Sequence, residues 1–335
     1  MKINIYQINY DSIVDKYLTE EHFADDLGLM KRFIDKRIIH NISPSRLYKY
    51  VKILKSWKYD FFNGESFANL TLEDIESGIA SLQRSKYSPN SRVSYKAILK
   101  VFYKTMYPDE MGNEPKLTRW ISTRERIDHR IPPKSLLTSE DILAIIETVD
   151  KLKAKENYKV MLRAAISTHA ESGGRIGETL NLFNKDVEIR KEQFNNKTIE
   201  YAFMLVNGKT GSRPIFLIKS LKYIKEWMNQ HPQKDSLNAY FWLNRRQDNF
   251  LAYHGFCRDM KRAARIAGIN KPLNTHFFRK SRATSMGKVM SNSIREQALG
   301  WIKGSQMSQI YDQLDGTHVK ESIFSLLIKG NLSIM

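Results

Sequence analysis

The chain has 335 residues, of which 41% are apolar and 27% charged, enough apolar content to build cores and to exclude disorder of the whole chain. The length predicts two domains at roughly 100–200 residues each. A formal net charge of +18 repels itself in a folded chain and points to a polyanionic partner, nucleic acid or an anionic membrane surface.

The single cysteine, Cys257, excludes an internal disulfide and a Cys-rich zinc site. No H-E-x-x-H or C-x-x-C occurs, so neither a metal nor a cofactor is expected. The first residues, M-K-I-N-I-Y-Q-I-N-Y, lack an apolar signal region, and no apolar run approaches the ~18 residues needed to span a bilayer. The expected location is cytoplasmic, at the nucleoid.

In chain order, helices are expected around 12–18 and 23–39, without sharp caps. Ser43-Pro44 is a strong helix start, and Leu47, Val51 and Leu54 give the following helix an apolar face. Arg46, Lys49, Lys52 and Lys55 recur every three residues as a basic stripe. Thr71-Leu72-Glu73-Asp74 caps a helix that buries Ile75, Ile79 and Leu82. Ser88-Pro89 repeats the start signal, and Arg92, Lys96, Lys100 and Lys104 stand four apart as a second stripe. Solvated lysines usually serve solubility; two such helices in so basic a chain point to phosphate contacts. Residues 1–107 therefore read as a helical DNA-binding domain. Residues 108–134 hold prolines, glycine and no clean periodicity, which predicts a linker, and Arg124, Arg126 and Arg130 make it basic.

Residues 135–335 read as a mostly helical second domain with one small sheet. Thr138-Ser139-Glu140-Asp141 caps its first helix, carried by Ile142, Ile145 and Ile146. A helix over 158–171 is broken by Ser172-Gly173-Gly174, and Arg175 opens a short one. T-I-E-Y-A-F-M-L-V and R-P-I-F-L-I flank N-G-K-T-G-S, a hairpin signal. Helices follow at 221–230 and 254–267, then N-T-H-F-F-R-K-S-R-A-T-S, then L-G-W-I-K-G-S-Q-M-S-Q-I-Y, and a tail helix over 319–327.

The chemical candidates are weak one by one. Arg175 beside Glu178 reads first as a structural ion pair, and Lys209 as a solvated turn lysine. His276 reads as a core or capping histidine, Trp301 as core, and Tyr311 as one of sixteen tyrosines. Yet His276 and Arg279 share a helix face. A guanidinium fork matches two phosphate oxygens, and a hairpin ammonium can donate a proton to a leaving alkoxide.

The order Arg, hairpin Lys, H-x-x-R, L-G-W, Tyr resembles the tyrosine recombinase, or phage integrase, family. The resemblance runs from about Thr138 to Leu314. E-S-G-G-R-I-G-E-T-L-N-L is similar to its first-arginine motif at Arg175, with Glu178 orienting that arginine. N-G-K-T-G-S-R is similar to its lysine hairpin at Lys209. H-F-F-R-K-S-R-A-T is similar to its H-x-x-R box at His276 and Arg279, and the final box would hold Trp301 and the nucleophile Tyr311. Trp301 stands where most members carry His, and the ten-residue step to Tyr311 is one longer than is common. Both features, with the G-K-T-G hairpin, are similar to the archaeal branch from chromosomes, viruses and plasmids.

The resemblance implies a mainly α fold with a small antiparallel β-sheet, in two domains that clamp DNA. It implies a site-specific recombinase that cleaves and rejoins double-stranded DNA through a 3′-phosphotyrosyl intermediate, without metal or ATP. Arg175 and Arg279 would stabilise the phosphorane, His276 would take a proton or donate a hydrogen bond, Lys209 would protonate the 5′-oxygen, and Trp301 would donate or buttress. A homo-oligomer, a tetramer in the synaptic complex, is implied. The alternatives are type IB topoisomerase-like nicking and rejoining, a silent DNA-binding protein on the same fold, or an RNA-binding module, which lacks its usual aromatic motif.

Overall fold

A computed structural model describes residues 4–126, 133–208, 211–302 and 304. Residues 7–126 form one compact unit, and residues 4–6 join 133–304 in another.

The first unit is all helical: α1 (Tyr10–Tyr17), α2 (Glu20–Phe23), α3 (Leu27–Ile39), α4 (Pro44–Ser56), α5 (Leu72–Arg84), α6 (Pro89–Met106) and α7 (Lys116–Arg119). Pro44 occupies the first turn of α4, where its missing N–H costs nothing. At α5 the Thr71 amide donates to Asp74 Oδ2 (2.9 Å) while Thr71 Oγ1 accepts from the Asp74 amide (3.3 Å). Phe33, Leu47, Leu54, Trp57 and Phe102 fill the core. A π-helical turn, Trp57–Phe61, carries Lys58 into that core. There its ammonium donates to Asp26 (2.6 Å), whose carboxylate also accepts from Ser66 Oγ (2.7 Å) and the Phe67 amide (3.2 Å). A buried ion pair survives only when its remaining bonds are satisfied in this way.

Four expectations change here. α1 does have a sharp cap, since Asn9 Oδ1 accepts from the Ser12 amide at 2.7 Å. The helix expected over 23–39 is interrupted at Ala24, which has a φ of 41°. The α6 stripe does not face water along its length. Lys96 is buried and donates to Glu125 (2.8 Å), Arg92 pairs with the same carboxylate (3.1 Å), and Lys100 pairs with Glu114 (3.2 Å). The described first part of the stretch expected as a linker, up to Arg126, is correspondingly packed on the helical unit, with Ile121 buried in its core and the Ile121 carbonyl held by Lys100 (2.7 Å). Acidic residues inside the Pro- and Gly-containing segment neutralise the stripe and draw the segment onto α6.

The second unit contains α8 (Ser139–Thr148), α9 (Glu156–Ser172), α10 (Ile176–Thr179), β1 (Val187–Phe194), β2 (Lys197–Gly208), β3 (Gly211–Leu217), α11 (Leu221–Gln230), α12 (Tyr253–Ile266), α13 (Thr275–Gly287) and α14 (Asn292–Leu299). α9 is the central element. Val160, Met161, Leu162, Ala164, Ala165 and Ile166 are all buried, because α8, α11, α12 and α13 surround the helix. The sheet is antiparallel in the order β1-β2-β3, with Met204 opposite both Val187 and Ile215. Ala202, Met204, Val206, Ile215 and Leu217 alternate inward, as period two requires, and complete the core. β1, absent from the expectations, is largely exposed and polar, so its pairing with β2 rather than its own apolar pattern makes it a strand. Ile5 also enters this core, and its carbonyl accepts from the Tyr253 amide (2.9 Å). The fold is mainly α with one small antiparallel sheet.

Candidate active site

α9 ends at Gly173, whose left-handed φ of 58° reverses the chain while its amide donates to the His169 carbonyl (3.2 Å). Arg175 follows as the N-cap of α10. Glu178, buried one turn later, accepts from the Arg175 amide (3.1 Å) and from Arg175 Nη1 (2.8 Å). A second guanidinium, Arg213 Nη2 on β3, donates to Glu178 Oε2 (2.8 Å). Burial pushes the Glu178 carboxyl up, but Arg175 and Arg213 outweigh it and hold it below the usual carboxylate range. The hairpin backbone lies against this carboxylate, where a Cβ at Gly208 would collide with it.

Asn274 caps α13 by accepting from the Phe277 amide (3.1 Å), which sets His276 and Arg279 on one face. Arg279 is buried. Its Nη1 donates to the Gly173 carbonyl (2.8 Å) and its Nη2 to the Leu299 carbonyl (2.7 Å). Its guanidinium carbon lies 5.6 Å from the Trp301 ring centroid. His276 is exposed on the same helix. Partial shielding from water, with Arg279, Lys280 and Arg175 nearby, holds its pKa below the ordinary value and keeps the imidazole neutral.

The end of α14 draws these groups together. Three successive carbonyls each receive an arginine. Ala298 accepts from Arg213 (2.6 Å), Leu299 from Arg279 (2.7 Å) and Gly300 from Arg175 (3.1 Å). The last carbonyls of a helix lack intrahelical donors and carry the negative end of its dipole, so they suit cations. Gly300 has a φ of 62°, and a Cβ there would lie 2.7 Å from Arg213 Nε, so glycine is required twice over. Trp301 follows with its ring buried beside Ala283, Met286 and Leu299, and it also faces Arg295 at 5.9 Å.

The structure thus brings together Arg175, Glu178, His276, Arg279 and Trp301. Lys209, Tyr311, Arg130 and the tail helix expected over 319–327 lie outside the described residues. Arg46, Lys49 and Lys52 on α4 are exposed and Lys55 is half-buried; Lys49 donates to Ser94 Oγ (3.0 Å) and Arg46 to the Tyr50 hydroxyl (2.9 Å). Lys104, Arg124 and Arg126 are exposed, whereas Arg92, Lys96 and Lys100 are engaged internally. Arg213 is the site residue the sequence reading missed. The signal was available, since Arg213, Ile215 and Leu217 alternate onto the buried face of β3. Two guanidiniums, Arg175 and Arg213, share the Glu178 carboxylate, and Arg279 joins them on the carbonyls at the end of α14, which leaves net positive charge for an oxyanion such as phosphate. Among the described residues no His, Cys, Asp and Glu cluster suits a metal, and no helix is long and apolar enough to cross a membrane.

Comparison with solved structures finds the same fold in proteins of low sequence identity. XerH site-specific recombinase bound to a palindromic difH substrate, in a post-cleavage complex, matches with TM-score 0.65 and 19% identity, covering 94% of this chain and 90% of that one. A lambda integrase dimer bound to a COC' core site gives TM-score 0.59 and 16% identity over 84% and 75% of the two chains. The Tn1549 transposon integrase in complex with circular intermediate DNA gives 0.59 and 13% over 88% and 98%. No curated protein matches the chain. The model of the phage integrase family matches residues 135–318, more than half of the chain and the whole of the arginine, histidine and tryptophan constellation just described. The chain belongs to the phage integrase family.

Proposed function

We propose that this protein is a site-specific recombinase that cleaves and rejoins duplex DNA through a 3′-phosphotyrosyl intermediate on Tyr311. The observation that carries the reading is the convergence of Arg175 and Arg279 on the carbonyls at the end of α14, with His276 on the Arg279 face of α13, inside a domain matched by the family model. XerH and lambda integrase are described with DNA bound, and one lambda integrase structure is a tetramer on a Holliday junction. Likeness to them favours double-stranded DNA as substrate and a homotetramer in synapsis.

In this reaction the Tyr311 oxygen attacks the scissile phosphorus and its proton passes to His276. The bond from phosphorus to the 5′-oxygen breaks, and Lys209 protonates that oxygen. Arg175 and Arg279 stabilise the charge that develops on the nonbridging oxygens. The new phosphodiester to tyrosine retains the energy of the broken one, so a free 5′-hydroxyl can reverse the step without ATP. Exposed cations on α4 add phosphate contacts from the helical unit, which is the proposed DNA-binding domain. The Trp301 position and the ten-residue step to Tyr311 favour the archaeal style within the family.

A duplex nicked just past the cleavage position traps the intermediate, because the short leaving strand diffuses away. Wild-type protein should form a covalent adduct with its own site, and Tyr311→Phe should bind that duplex without forming one. An adduct that persists in Tyr311→Phe moves the nucleophile elsewhere. A wild-type protein that binds its site but leaves no adduct is a silent DNA-binding protein.

A further inference from the structure

His169 is sealed inside the second unit, and the proposed reaction does not use it. It lies on α9 one turn before Gly173, only 1% exposed, with its ring against Phe256 and Phe278. Its Nδ1 is 3.2 Å from Thr179 Oγ1, and its Nε2 is 3.1 Å from the Thr275 carbonyl. These two partners belong to the two halves of the site. Thr179 ends α10 and adjoins Glu178, which holds Arg175 and Arg213. Thr275 begins α13 and adjoins His276. In the α-helical register its carbonyl is also the one paired with the Arg279 amide.

The chemistry of the partners sets the protons. A carbonyl can only accept, so the hydrogen must sit on Nε2. Nδ1 then offers a lone pair to the Thr179 hydroxyl, which lies nearer to it (3.2 Å) than to its other acceptor, the Ile176 carbonyl (3.4 Å). Burial lowers the pKa of this ring to about 4, with Arg279 and His276 acting in the same direction against the Thr275 carbonyl, so the imidazole is neutral near pH 7. A leucine here would fill the space but remove both bonds to the ring, leaving the Thr179 hydroxyl only its longer contact with the Ile176 carbonyl (3.4 Å) and the Thr275 carbonyl only its helical donor.

We propose that His169 is a positioning residue, which sets the spacing between the Arg175 turn and the His276–Arg279 helix through a one-way bridge from the Thr179 hydroxyl to the Thr275 carbonyl. The inference rests on the recombinase reading for its catalytic consequence, but not for the bridge itself.

Full-length His169→Leu, Thr179→Val and His169→Gln test it. Glutamine offers one donor and one acceptor and can partly rebuild the bridge. The readouts are the melting temperature, duplex affinity, and the single-turnover rate of adduct formation at saturating protein. A displacement of reacting groups by a fraction of an ångström predicts a rate loss of roughly 10- to 100-fold in His169→Leu and a smaller one in Thr179→Val, with duplex affinity kept within about threefold. His169→Gln should recover most of the rate. Combining His169→Leu with Thr179→Val should give a protein no slower than His169→Leu alone, since both changes break one bridge. Wild-type rates at saturation, a loss that follows unfolding or weakened binding, no rescue by glutamine, or additive effects would overturn the proposal. Nitrogen-15 spectra of labelled histidine decide the bridge separately. A neutral ring protonated on Nε2 at pH 6 is expected, and a charged ring or one protonated on Nδ1 refutes it. If the wild type makes no adduct, the recombinase reading falls while these spectra still judge the bridge.

Discussion

Glu178→Gln removes the single carboxylate that holds two arginines of the site. Losing one partner of a buried ion pair costs roughly 3–5 kcal/mol. Arg175 is 34% exposed and can regain water, whereas Arg213 is 11% exposed and cannot. Glutamine also keeps one acceptor, so the lower end, about 3 kcal/mol, is expected. With a urea slope of about 2 kcal/mol/M, the unfolding midpoint should fall by about 1.5 M at pH 7. The pH dependence carries a definite sign. The folded-state pKa of Glu178 lies below its ordinary 4.5, so the carboxylate stabilises fully above about pH 5 and loses that contribution as pH falls through the folded value. The gap between wild type and Glu178→Gln should therefore be widest near neutrality and close in acid. Urea titrations followed by circular dichroism at several pH values measure it, and adduct formation at saturating protein should drop about 100-fold as Arg175 loses its anchor. An unchanged midpoint at pH 7, or a gap that stays constant into acid, would refute the claim that this carboxylate holds the site.

Arg279→Lys keeps the charge but cannot reach both the Gly173 and Leu299 carbonyls, so adduct formation should fall by about 10²–10³-fold with duplex binding largely kept. Single-turnover kinetics beside a gel-shift titration separates the two effects. Lys96→Met should destabilise the helical unit by roughly 1–3 kcal/mol, because Glu125 loses one of its two cations, and should leave the salt dependence of DNA binding unchanged. Lys52→Ala, on the exposed α4 face, should do the opposite and lower the log–log salt slope by about 1. Urea melts and binding isotherms across a salt series check this pair.

The sequence alone determined whatever rests on short-range rules. Thr71 with Asp74 and Thr138 with Asp141 announce their helices, since a cap is built from residues three apart. The Asn-Gly and Gly turn between two apolar runs announces the β2–β3 hairpin. Spacing within H-x-x-R puts His276 and Arg279 on one face, and the order of motifs points to the family. Tertiary structure decided what depends on partners far along the chain. Lys96 looks like a member of a solvent-facing stripe until Glu125 folds over it, and Ile5 joins a core whose other residues lie beyond position 136. β1 carries too little apolar alternation to be seen without β2 beside it. Arg213 and His169 acquire roles only because β3, α9, α10, α13 and the end of α14 meet at one place. Backbone carbonyls supply much of that meeting point, at Gly173, Thr275 and Ala298 to Gly300, and every residue has a carbonyl. Side-chain patterns cannot mark which of them will be left open at a helix end and turned toward an arginine.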